Sequence, residues 1–315
     1  MKALVTGGEG FIGSHVVDKL IDKGIDVRVF DLAIPTYRKD TENYQASLLD
    51  FDALRFAISG IDVIFHLGAI ADVKDVLEDP HYSEAINVRG TINVLEAARK
   101  HGNIKRVIYG STDWVYSDTK GQVLDEDSSL GAPSHLYTAT KIAGEYYCQC
   151  YSKLYQLPVT ILRYGIPYGP RAREGAVIPI FVKRALNGEP LTIAGDGSQY
   201  RRFVYVEDLA EGNVLALKEV AINKIYNLEG TEKISIKQVA ETIQKILGKV
   251  EIKYTEARPG DFSGKEILAT RAKEELGWVP RISFEEGVRR YIQWYKERLK
   301  NTEAEWSKLN KILKQ

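Results

Sequence analysis

Thr6-Gly7-Gly8-Glu9-Gly10-Phe11-Ile12-Gly13 is the stretch on which the fold of this chain turns. It follows a short apolar run, Ala3 to Thr6, and opens a segment in which Phe11, Ile12, Val16, Val17, Leu20 and Ile21 recur at helical spacing until Gly24 supplies a stop. Val27 to Asp31 then reads as a second strand, giving one strand, helix, strand unit, right-handed by default. A glycine turn between a strand and a helix lets backbone approach a pyrophosphate, whose charge is favoured by the free N–H groups at the helix start. Asp31 ends the second strand where a carboxylate hydrogen-bonds both ribose hydroxyls and repels a 2′-phosphate, which favours NAD over NADP. Arg38 and Lys39 lie close enough in sequence to weigh the other way.

The same rhythm continues. Val63 to Leu67, Arg106 to Tyr109 and Val159 to Arg163 are further strand-like runs separated by longer amphipathic stretches, the pattern of a parallel sheet covered by helices. After about residue 165 the chain breaks into loops rich in Gly, Pro and Arg, with strand-like pieces at Arg202 to Val206 and Ile225 to Leu228. The expected class is therefore α/β, a doubly wound parallel sheet in residues 1–165 with strands returned from about 201–228, and a smaller α/β lobe mainly in 166–315. The tail from Glu303 places Trp306, Leu309, Ile312 and Leu313 at helical spacing, a helix for packing or oligomerisation.

Composition narrows the partners. The chain has 315 residues, 44% hydrophobic and 27% charged, with no apolar run long enough to span a bilayer. Its 43 basic and 43 acidic residues cancel, so it lacks the positive field of a general nucleic-acid binder, and a small-molecule partner is expected. Met1 to Val5 lead straight into the glycine turn, leaving no room for a secretory signal, so a cytoplasmic location is expected. The two cysteines, Cys148 and Cys150, are two residues apart in a helical pattern and point in different directions; neither a disulfide nor a metal framework follows.

Tyr137 and Lys141 are four residues apart at the start of a helical pattern that runs to Tyr155, so they project from one face and their heads are expected to meet. An unperturbed tyrosine is only about one part in a thousand phenolate at neutral pH. An ammonium about 4 Å away stabilises the phenolate by up to ~4 kcal/mol at an effective dielectric of about 20, partly offset by burial. Taken alone, such a pair is a common surface pattern. Its setting is more telling, because Gly110-Ser111-Thr112 ends a strand shortly upstream and ligands sit at the carboxyl ends of strands. Thr112, Tyr137 and Lys141 then converge on one reacting oxygen.

With these features in order, the chain resembles the extended short-chain dehydrogenase/reductases, the NAD-dependent nucleotide-sugar epimerase and dehydratase family, and is UDP-glucose 4-epimerase-like. The likeness runs through TGGEGFIG at 6–13, Asp31, HLGA at 66–69, NVRGTINVLEAA at 87–98, GSTDWVY at 110–116, YxxxK at 137–141 and YGPR at 168–171. It continues in GDGSQYRRFVYVEDLA at 195–210, ARPGD at 257–261 and LGWVP at 276–280. The resemblance implies a Rossmann domain with a smaller substrate lobe, NAD as cofactor, a nucleotide-diphosphate sugar as substrate, and a homodimer built on two helices per subunit. By position, Tyr137 is the implied base for a sugar hydroxyl, Lys141 tunes it and touches the nicotinamide ribose, and Thr112 hydrogen-bonds the reacting oxygen. Gly7, Gly10, Phe11, Ile12, Gly13, Leu67, Gly68 and Ala69 are implied to bind the dinucleotide, with Asn87 close to it. Arg201 and Arg258 are implied to hold the diphosphate, a role suited to guanidinium forks, or else form surface ion pairs. For His66, a strand residue satisfied in the core is expected in preference to catalysis.

Three departures bear on the reaction. Dehydratase and decarboxylase relatives carry a glutamate where this chain has Trp114, whose indole has no basic lone pair, although Asp113 beside it matches the dehydratase pattern. Glu126 or another carboxylate is a candidate substitute. Ile166 stands where relatives often have an asparagine that contacts the sugar or its phosphate, and Arg202 stands where an aspartate is usual, leaving open a second anionic group on the substrate. Ser47, next to Leu48, replaces an aspartate on the adenine side. A 4-epimerase needs no extra base, so epimerisation leads; a dehydratase or keto-sugar reductase is the alternative among enzymes, and a catalytically inactive dinucleotide sensor the alternative outside them.

Overall fold

The computed structural model describes residues 1–248, 250–256 and 265–312, with side chains described through residue 301. Seven parallel strands form its central sheet: β1 (Lys2–Thr6), β2 (Asp26–Asp31), β3 (Glu42–Gln45), β4 (Val63–His66), β5 (Arg106–Thr112), β6 (Val159–Tyr164) and β7 (Lys224–Leu228). Their order across the sheet is β7-β6-β5-β4-β1-β2-β3. The reversal of direction beside β1 places a crevice at the carboxyl ends of β1 and β4, where ligands bind in sheets of this kind. β1, β4, β5 and β6 are almost wholly buried along their length, which is why they read as continuous apolar runs without alternation.

Helices cover both faces. On one, Val16, Val17 and Leu20 of α1 (Phe11–Asp22) pack with Leu209 and Ala210 of the helix Val206–Leu215 against the sheet. On the other lie α2 (Phe51–Ile58), α3 (Gly90–His101) and α4 (Leu136–Tyr155), which bury Leu54, Leu95 and Cys148. α3 stops at Gly102, whose φ of 81° is the left-handed turn that glycine adopts without strain. Cys148 is buried, Cys150 is exposed, and both are free thiols.

The two late strand-like pieces part company. Lys224–Leu228 joins the central sheet beside β6, whereas Phe203–Tyr205 pairs with Ile166–Tyr168 in a separate two-stranded ladder. Beyond that ladder a third core gathers Phe181, Ile193, Val239, Ile243, Val288 and Tyr291 from later helices and strands. The final helix runs Phe284–Ile312; Trp306, Leu309 and Ile312 fall where side chains are not described, and Leu313 lies outside the described residues. Among the described residues, no helix is long and apolar enough to cross a membrane.

Candidate active site

Gly7, Gly10, Asp31, Leu67, Gly68 and Ala69 line one cavity of about 320 Å³ at the carboxyl ends of β1, β2 and β4. The glycines are required by space. A Cβ on Gly13 would stand 2.0 Å from the Gly7 carbonyl oxygen, and one on Gly7, at φ 70°, would stand 2.6 Å from the Gly68 nitrogen. Phe11 and Ile12 turn their side chains into the cores, so contact with a ligand at the turn falls to their backbone N–H groups. Asp31 is fixed by the amides of Glu9 (3.0 Å) and Ala33 (2.9 Å). Arg38, the expected counterweight, is taken by Asp40 through two hydrogen bonds of 2.8 and 2.7 Å. The backbone cradle and its carboxylate therefore fit a dinucleotide without a 2′-phosphate.

Asn87 does not line this cavity; it braces it. Its side chain accepts from the Ile70 amide (2.7 Å) and donates to the Ile70 carbonyl (2.9 Å) and to Thr140 (3.1 Å), pinning the loop that carries Leu67, Gly68 and Ala69. Leu48, beside Ser47, fills the space over Gly68 and Gly90. His66 is a core histidine: Nδ1 meets Thr6 (2.8 Å) and Nε2 meets Thr91 (2.9 Å), and burial lowers its pKa to about 3.

A second cavity, of about 390 Å³, opens at the ends of β5, β6 and β7. Its walls include Asp113, Trp114, Ile166, Arg201, Arg202 and Glu229. A larger cavity, about 480 Å³, lies at the amino ends of β6 and β7 and is lined by none of the expected site residues. Trp114 packs edge-on against His135 at 5.5 Å, so the indole serves as a wall. Arg201 faces the cavity, where its charge opposes the rise that burial imposes on the Asp113 pKa. Arg258 lies outside the described residues. Arg202 is held by the carbonyls of Gly230 and Thr231 (3.2 Å each) and by Glu266 at 3.3 Å.

β5 ends beside the second cavity, where its last residue, Thr112, meets Tyr137 from the first turn of α4. Thr112 donates to Asp113 (3.3 Å), and its hydroxyl eases the pKa of half-buried Tyr137 downward. Burial and the Asp113 charge outweigh it and lift the phenol well above the ordinary tyrosine value. The expected meeting of Tyr137 with Lys141 takes another form. The Lys141 ammonium donates to the Gly110 carbonyl (2.8 Å) and lies 5.1 Å from the Tyr109 ring centre, and burial lowers its pKa to about 8. Helical spacing aligned the two stems, but an open strand carbonyl captured the head.

Two features escape a reading of the sequence. Below the site, buried Glu145 binds Arg163 through paired contacts of 2.9 and 2.7 Å and accepts from Ser111 at 2.6 Å, while Arg163 donates to Tyr116 at 2.6 Å. The other is Glu229. Glu126, the proposed substitute carboxylate, is turned away to accept from the Asn227 amide at 2.8 Å. Glu229 comes to Asp113 instead; burial raises the Asp113 pKa to about 7 against the lowering effect of its hydrogen bond to Glu229, whereas burial and the Asp113 charge both raise that of Glu229. The only signal for it was a carboxylate placed directly after the strand-like run Ile225 to Leu228.

A model of the NAD dependent epimerase/dehydratase family matches residues 3–228. The chain belongs to the NAD-dependent epimerase/dehydratase family. A putative UDP-glucose 4-epimerase of Methanocaldococcus jannaschii is 36% identical over 93% of this chain and 98% of its own length. A UDP-N-acetyl-alpha-D-glucosaminuronate decarboxylase of Bacillus cytotoxicus is 34% identical over 94% and 98%. The crystal structure of a Thermotoga maritima UDP-glucose 4-epimerase with UDP-glucose superposes with a TM-score of 0.89 at 33% identity, covering 95% of this chain and 100% of that one. The Rossmann-type fold and NAD as cofactor follow, and the enzyme class is that of NAD-dependent nucleotide-sugar epimerases and dehydratases.

Proposed function

We propose that this chain is a nucleotide-sugar 4-epimerase. The observation that supports the reading is that Thr112, the last residue of β5 and the neighbour of cavity-lining Asp113, hydrogen-bonds Tyr137 from the first turn of α4. Tyr137 takes the proton of the sugar C4 hydroxyl and returns it, and Thr112 orients that oxygen. Lys141, held on Gly110, keeps a positive charge beneath the site. What the dinucleotide supplies when bound is hydride uptake and return at the sugar carbon. Arg201, with Arg258, anchors the diphosphate, while Trp114 and Ile166 give the keto sugar apolar walls to turn against. On this reading residues 1–165 with β7 hold the cofactor, and 166–315 close over the sugar.

Loss of water to a keto-deoxy sugar is the second reading, favoured by one observation: Glu229 brings Asp113 the carboxyl partner that Trp114 had removed. Incubation with UDP, GDP and dTDP hexoses, followed by NMR, separates the two. We expect a C4 epimer, and a loss of about 10²- to 10⁴-fold in turnover for Tyr137→Phe. A 4-keto-6-deoxy product would overturn the epimerase in favour of elimination, and NAD binding without turnover of any sugar would leave the sensor. A homodimer is part of the proposal. It is supported by exposed Tyr146, Tyr147 and Leu154 on α4, and light scattering of the purified protein tests it.

A further inference from the structure

β5, β6 and β7 end flush. Thr112 is in register with Tyr164, and Tyr164 with Leu228, so the next residues, Asp113, Gly165 and Glu229, follow side by side, and Asp113 and Glu229 line the second cavity. Gly165 donates its amide to the Leu228 carbonyl at 2.9 Å and has no side chain, so the Glu229 carboxyl passes over it. A Cβ at Gly165 would stand 2.6 Å from Glu229 Oε2. That path lets Glu229 reach Asp113 from two strands away. Glu229 is 3% exposed, and its Oε1 is buried with no hydrogen-bond partner among the described residues.

We propose that Glu229, set against Asp113 across Gly165, makes this wall of the sugar pocket accept sugars bearing a hydroxymethyl group beside the reacting carbon and reject uronates. The proposal rests on the reading of this cavity as the sugar site. Asp113 directly follows Thr112, so the carboxyl pair stands next to the carbon whose oxygen Thr112 and Tyr137 hold. C4 of a hexopyranose is flanked by C3 and C5, and the proposal sets the carboxyl pair on the C5 side, whose substituent is a hydroxymethyl group in hexoses and a carboxylate in uronates. A hydroxyl there donates to the unpartnered Oε1. A carboxylate adds a further negative charge in a desolvated wall and brings no donor. Of the nearby cations, Arg201 is taken by the diphosphate on this reading, Arg202 is held by Gly230, Thr231 and Glu266, and Lys265 donates to the carbonyls of Tyr116 and Thr119.

The test is equilibrium binding of UDP-glucose and UDP-glucuronate to the NAD-loaded protein, for wild type, Glu229→Gln and Glu229→Gly, with melting temperature as the check on folding. We expect the wild type to favour UDP-glucose by at least about tenfold, and that ratio to fall by about tenfold or more in both variants, chiefly through tighter uronate binding. Glu229→Gly leaves the wall without a carboxyl at 229 and keeps the test informative where Glu229→Gln folds poorly. Equal affinity of the wild type for the two sugars, or a ratio unchanged in either folded variant, would overturn the proposal. UDP-glucose binding with the expected selectivity but without epimerisation would sink the epimerase reading and leave this one standing. Failure of both sugars to bind would sink both.

Discussion

Lys141 Nζ donates to the carbonyl oxygen of Gly110 at 2.8 Å, which fixes an ammonium group under the last residues of β5. Burial lowers its pKa to about 8, so the charge is present below that pH and lost above it. Turnover that depends on this charge should fall as pH rises through about 8. A guanidinium stays charged there, so Lys141→Arg should move the alkaline limb of the pH–rate profile upward even if its maximum drops. An unchanged limb in Lys141→Arg would assign it to another group.

Asp31 is held in place by two backbone amides, at 3.0 and 2.9 Å, before any ligand is considered. Replacing it by alanine removes both an acceptor for ribose hydroxyls and the repulsion of a 2′-phosphate. The preference for NAD over NADP should shrink by about tenfold or more, read by titrating each dinucleotide against the Asp31→Ala variant.

Glu145 and Arg163 form a buried pair whose remaining groups are satisfied by Ser111 and Tyr116. Removing one partner leaves the other charge uncompensated. Glu145→Ala should cost about 3–5 kcal/mol in unfolding free energy, measured by urea denaturation. The damage should extend to turnover, because Ser111 immediately precedes Thr112.

His66 and His15 confer acid sensitivity. Burial is the main cause in each, lowering the pKa from 6.5 to about 3 for His66 and to about 4 for His15. The folded protein leaves out protons that the unfolded chain binds below pH 6.5. Their contribution is therefore full above that pH and is lost as pH falls, down to about 4 for His15 and about 3 for His66. Each ring should remove about 1.4 kcal/mol of stability per pH unit across its window. Unfolding curves between pH 7 and 5 should steepen accordingly, and His66→Asn should flatten the slope.

The fold was legible because its deciding signals are local. A glycine turn, the helical spacing of Val16, Val17 and Leu20, and apolar runs of strand length are all written within a few residues of one another. The contact of Thr112 with Tyr137 was legible because it depends on the ends of those elements. The site was not legible where one head group chose between partners. Helical geometry gave Lys141 a place beside Tyr137, but only the packed sheet offered it the Gly110 carbonyl. Nor does sequence separation tell that Glu229 meets Asp113, since that contact follows from the register of three parallel strands. The same holds for Glu145 and Arg163, joined only after α4 lies down on β5 and β6.

Gly165 also imposes an order on mutational history. Any side chain at 165 would push the Glu229 carboxyl off its path to Asp113, so a glutamate at 229 reaches Asp113 this way only where the glycine is present. If Glu229 is lost first, the freed space admits a larger residue at 165, and a glutamate restored at 229 must then take another path. Exchange between the two kinds of sugar wall is thus easier in one direction than in the other, and a laboratory selection for uronate use should find the departure from Glu229 far more readily than the return.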